Sequence, residues 1–71
     1  MADMGGNLRR IMRREGVGVR ELSRRTNLSL STVRRLRSVA NSGNVATWFA
    51  IADALGVDII EFFDIPEQRI L

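Results

Sequence analysis

Apolar residues in this chain recur three and four apart, and each periodic stretch is cut short by a glycine or an asparagine. That pattern predicts short amphipathic helices and no strand. Leu8, Ile11 and Met12, with arginines between them, mark a first helix that stops at Gly16. Gly18 can cap a second, whose inner face carries Val19, Leu22 and Thr26. Asn27 follows, and asparagine tolerates the left-handed backbone that turns a chain sharply out of a helix. Ser29 is a good cap for a third helix with Val33 and Leu36 inward. After the polar stretch Asn41-Ser42-Gly43-Asn44, a fourth helix carries Val45, Trp48, Phe49, Ala52 and Leu55 and ends at Gly56. Asp58 and Glu61, three apart, read as a capping box for a last short helix through Phe63, closed by Pro66. The expectation is an all-α fold, five helices in a single domain over residues 1–71, with residues 1–6 a flexible start and 65–71 a tail.

Size and composition narrow what such a domain can do. At 71 residues, it buries only about 60% of the surface its unfolded chain exposes. The chain has no cysteine and no histidine. Disulfides, the common zinc sites and the Cys–His and Ser–His dyads are therefore excluded. No catalytic residue, metal site or cofactor is expected. Asp53, Asp58, Glu61 and Asp64 suit an exposed face and a helix cap better than a metal cluster. The longest largely apolar run, Val45 to Ala52, falls far short of the ~20 residues that span a membrane. No apolar stretch follows a basic start at the N-terminus, so no secretory signal is read. A cytoplasmic, stand-alone protein is the expectation.

Charge is segregated. Residues 1–37 hold ten arginines against Asp3, Glu15 and Glu21, a net +7, and the remainder carries −4. A basic half of this kind points to a polyanion. The richest segment is Val19 to Arg37, two helices joined by a turn of about three residues with the basic helix second, which is the helix-turn-helix arrangement.

Here the sequence resembles the Cro/repressor family, also called XRE-type regulators. Leu22, Leu28, Val33 and Leu36 fall where that family buries apolar residues. Ala50-Ile-Ala-Asp-Ala-Leu-Gly-Val57 and Asp58-Ile-Ile-Glu-Phe-Phe63 resemble its fourth and fifth helices. The likeness runs over residues 7–63 and implies a lambda-repressor-like domain that binds double-stranded DNA. Departures are visible. Val19 stands where the family commonly has a phosphate-contacting glutamine, Ser23 replaces a small alanine, and Asn27 replaces the turn glycine. An acidic residue late in the third helix is replaced by Arg37, opposite Met12, so the usual ion pair cannot form and Arg37 is left to face phosphate.

At 100° per residue, the face of the third helix opposite Val33 and Leu36 carries Ser31, Arg34, Arg35 and Ser38, with Leu30 at its flank. The resemblance implies base-edge contacts from Leu30, Ser31 and Arg35, with Arg34 beside them. Arginine can pair bidentately with guanine, leucine can pack on a thymine methyl, and serine can bond to several bases. Arg20, Thr32, Arg37 and Asn44 are candidates for phosphate. Ile60 beside Phe63 reads as a patch through which two copies pair on DNA. Trp48 reads as core. The expected function is a sequence-specific transcriptional regulator, a repressor. The alternative is an antitoxin-like module whose acidic C-terminal half docks on a protein partner.

Overall fold

The computed structural model describes residues 3–39 and 43–63. Five helices follow one another: α1 (Met4–Glu15), α2 (Val19–Thr26), α3 (Leu30–Ser38), α4 (Val45–Leu55) and α5 (Ile60–Phe63). No strand occurs among the described residues. α1 packs on α3 and α5, and α2 packs on α3 and α4. The core they enclose includes Leu8, Ile11, Leu22, Val33, Leu36, Trp48, Ile51 and Phe62. The Trp48 and Phe62 rings sit 5.3 Å apart, tilted by 43°, within the range where aromatic pairs attract beyond simple burial.

Local chemistry ends the helices where the sequence says it should. Gly16 and Gly56 both adopt left-handed backbone, φ 70° and 71°. In each case the next residue reaches back, Val17 N–H to the Met12 carbonyl at 2.9 Å and Val57 N–H to the Ala52 carbonyl at 3.0 Å. That double closure satisfies the last carbonyls of α1 and α4. Val17 is buried and Val57 partly buried against the same core, so each turn also anchors the chain as it leaves.

Three expectations are corrected. Residues 3–6 are not a flexible start: the Asp3 carboxylate accepts the Gly6 N–H at 2.9 Å, α1 begins at Met4, and Met4 is buried. Asp58 and Glu61 do not form a capping box. Asp58 accepts from the Ile60 N–H at 3.2 Å, while Glu61 accepts from Arg14 of α1 at 2.8 Å. Val45 and Phe49 are not core. α4 turns Trp48, Ile51, Ala52 and Leu55 inward and leaves Val45 and Phe49 58% and 56% exposed. Of the two residues assigned to an interface, Phe63 is half-buried and packs partly on the core, and Ile60 is 53% exposed. The expectations for Asn41, Ser42, Asp64, Pro66 and the 65–71 tail lie outside the described residues.

Candidate nucleic-acid interface

The turn between α2 and α3 is built from hydroxyls and one asparagine. Asn27 sits at φ 66°, the only described non-glycine residue with positive φ, and its N–H closes on the Ser23 carbonyl at 2.9 Å. Ser23 donates its hydroxyl to the Leu28 carbonyl at 2.5 Å, across the turn. Thr26 donates to the Leu22 carbonyl at 2.8 Å and accepts from the Leu28 N–H at 3.3 Å. Ser23 is therefore more than a tolerated replacement for a small residue, because its hydroxyl ties the end of α2 to the approach of α3. Ser29 then caps α3, accepting the Thr32 N–H at 3.1 Å. Leu28 is held against the core. Together these contacts fix the start of α3 relative to α2.

α3 buries Val33 and Leu36 and exposes Ser31, Arg34, Arg35 and Ser38. Leu30 is half-buried at the flank, as the geometry requires. The four proposed base-contacting residues Leu30, Ser31, Arg34 and Arg35 therefore share one accessible side of one helix. Ser38 turns its hydroxyl back to the Arg34 carbonyl at 2.9 Å.

The phosphate candidates are more varied. Arg20 is exposed in the first turn of α2. That helix starts at Gly18 with no side-chain cap, so its first N–H groups are open to an anion. Val19 packs partly on the core, which accounts for an apolar residue at this position. Thr32 is half-buried and its hydroxyl meets Ser29 at 2.9 Å. Asn44 spends its carboxamide oxygen on α4, accepting from the Thr47 N–H at 2.9 Å and the Thr47 hydroxyl at 3.0 Å. Only its amide remains for an outside acceptor. Arg37 is half-buried, its Nε buried without a partner, and Met12 opposite it lies in the core.

The arginines divide by whether they are neutralised. Glu21 holds Arg24, and Arg25 at 2.8 Å. The hydrogen bond from Arg25, then the charges of both arginines, keep the Glu21 carboxyl below the usual carboxylate range. Arg14 is held by Glu61 and Glu15, which raise its guanidinium further. Arg9 and Arg10 donate to oxygens of Arg37 and Asn7. Among the described residues, Arg20 on α2 and Arg34, Arg35 and Arg37 on α3 make no ion pair, and neither do Arg9, Arg10 and Arg13 on α1. Uncompensated positive charge thus lies on α1, at the start of α2 and on α3, where Arg34 and Arg35 set it on the exposed face.

Sequence reasoning missed three ties that hold this arrangement. Asn7 donates to the Phe62 carbonyl at 2.8 Å, joining α1 to α5. Arg25 donates to the Ala54 carbonyl at 3.0 Å, joining α2 to α4. Arg9 donates to the Arg37 carbonyl, joining α1 to α3. The Glu21 pairs did have a signal, since acids and bases three and four apart on a helix meet. The three long-range ties had none.

Comparison with known proteins agrees with this geometry. A family model for the Cro/C1-type HTH DNA-binding domain matches residues 7–68. No match was found among curated proteins. Among solved structures, the chain is similar to part of Streptomyces albus HEPD with its substrate 2-hydroxyethylphosphonate and Fe(II) bound, with TM-score 0.80 and 32% identity. The likeness covers 84% of this chain and 14% of that one, so it concerns a small segment of a much longer enzyme. No described helix is long and apolar enough to cross a membrane.

Proposed function

Since the chain belongs to the Cro/C1-type helix-turn-helix DNA-binding family, we propose that it is a sequence-specific transcriptional repressor that lays α3 in the major groove of double-stranded DNA. In this reading Arg34 and Arg35 pair with guanines, Leu30 and Ser31 read neighbouring bases, and Arg20, Arg37 and the open start of α2 grip phosphates. Thr32 and Asn44 play smaller parts, because the helix caps already use their oxygens. Repression would follow from occupying a promoter. The single observation that carries the reading is the outer face of α3, where Arg34 and Arg35 stand exposed and without an acidic partner on the helix that follows the α2–α3 turn. We place no catalysis in this domain, whose chain supplies neither histidine nor cysteine.

A second reading, a protein-docking module, is favoured by two observations. In HEPD a segment of this fold occupies a small share of an Fe(II)-bound chain, and Val45, Phe49 and Ile60 offer exposed apolar surface here. Salt separates the two. Each phosphate neutralised contributes about −0.9 to the slope of log affinity against log salt, so a pair of copies touching roughly four to six phosphates each should give a slope on the order of −7 to −10. A slope shallower than about −2 would favour protein docking.

A further inference from the structure

The far end of α3 is held by the backbone of α1. A helix leaves its last carbonyls without partners inside the helix, and at the end of α3 three carbonyl oxygens gather around Gly5. A methyl group at Gly5 would lie 2.9 Å from the Leu36 oxygen, 3.0 Å from that of Arg37 and 3.1 Å from that of Val39. These are backbone atoms and cannot swing aside, so α1 comes as close as only glycine permits. One turn along α1, Arg9 donates to the Arg37 carbonyl, which also puts a cation at the negative end of α3. The first turn of α1 is itself fixed, because Asp3 accepts the Gly6 N–H at 2.9 Å.

The near end of α3 is fixed by the Ser29 cap and the hydroxyl-tied turn. With both ends held, the tilt of the helix is determined. Arg34 and Arg35 lie within one turn of the carbonyls that Gly5 and Arg9 engage. Bidentate contact with a base edge tolerates only about 0.5 Å of misplacement. We propose that Gly5 and Arg9 are positioning residues that set the sequence discrimination of α3 without touching DNA. The proposal rests on the reading of α3 as the recognition helix.

The test compares two duplexes, the best site selected by the wild-type protein and the same site changed at the base pair read by Arg35. Affinities for both are measured for wild type, Gly5→Ala, Arg9→Met and Arg9→Lys, under conditions where circular dichroism shows each protein folded. Gly5→Ala and Arg9→Met should each lower the ratio of the two affinities by about three- to tenfold. The salt slope on non-specific duplex should stay at its wild-type value, and Arg9→Lys, which keeps donor and charge, should restore most of the ratio. A role in stability alone would weaken both duplexes equally and leave the ratio intact, which would overturn the proposal. So would a salt slope reduced by about one unit in Arg9→Met, since Arg9 would then be a phosphate contact. If Gly5→Ala does not fold, Arg9→Met decides. A wild-type protein that does not distinguish the two duplexes would instead overturn the recognition reading itself.

Discussion

In the proposed reading single residues carry the specificity of this domain, and they differ in what their loss should do. Arg35 is exposed on α3 with no acidic partner among the described residues. Arg35→Ala should cost about 1–3 kcal/mol on the best site and relax preference at one base pair. Arg37→Ala should weaken all sequences alike, as a phosphate contact would. Competition binding against single-base variants of the site separates these outcomes. Glu21 makes a prediction about acid. Its carboxyl lies below the usual range because Arg25 and Arg24 hold it. A group depressed on folding contributes stability above its unfolded value, ~4.3 for glutamate, and loses it as pH falls through the folded value. Thermal melts should therefore show wild type and Glu21→Gln converging below that range and separating above it. Asn27, Ser29, Gly16 and Gly56 were legible in the sequence because each acts on its own backbone within a few residues. Glu61 was not. Its spacing from Asp58 fits a local cap, yet Arg14, 47 positions away, takes the carboxylate, and no local rule can weigh a partner that distant.

At the scale of elements, what could be read depended on how uneven each helix is. α2 and α3 have one apolar face and one charged face, so periodicity alone placed Leu22, Val33 and Leu36 in the core. α4 has a single charged residue, Asp53. An apolar helix does not announce its buried side, and the stripe through Val45 and Phe49 proved to be the outer one. The start of α1 was hidden for another reason. Gly5 and Gly6 are poor helix formers, and what makes them helical is the Asp3 cap together with close packing on α3. Asp3→Ala and Ser29→Ala should each cost about 1 kcal/mol, measured by denaturant unfolding, and only Ser29→Ala should also weaken DNA binding by loosening the entry to α3. Leu22→Ala, at the fully buried junction of α2 with the core, should cost about 2–5 kcal/mol. That loss approaches the roughly 3–5 kcal/mol a core of this size supplies, so the variant should be largely unfolded at room temperature.

On the scale of the whole molecule, one domain of this kind reads only a few base pairs, and we propose that two copies pair on half-sites about one helical turn apart to supply the missing information. Ile60, exposed on α5, is the proposed contact between copies. Ile60→Asp should abolish cooperative binding to a two-half-site duplex while leaving the fold and weak half-site binding intact, as read by gel shift. Undiminished cooperativity would move the interface elsewhere, with the exposed Val45 and Phe49 of α4 the next surface to test. The central claim, that α3 reads sequence through its unpaired arginines, is tested most directly by selecting bound duplexes from a random pool with wild type and with Arg35→Ala in parallel. The account predicts that wild type enriches a two-fold motif and that Arg35→Ala enriches the same motif with preference lost at one base pair in each half-site. An unchanged motif from Arg35→Ala, or no enrichment by wild type, would contradict it.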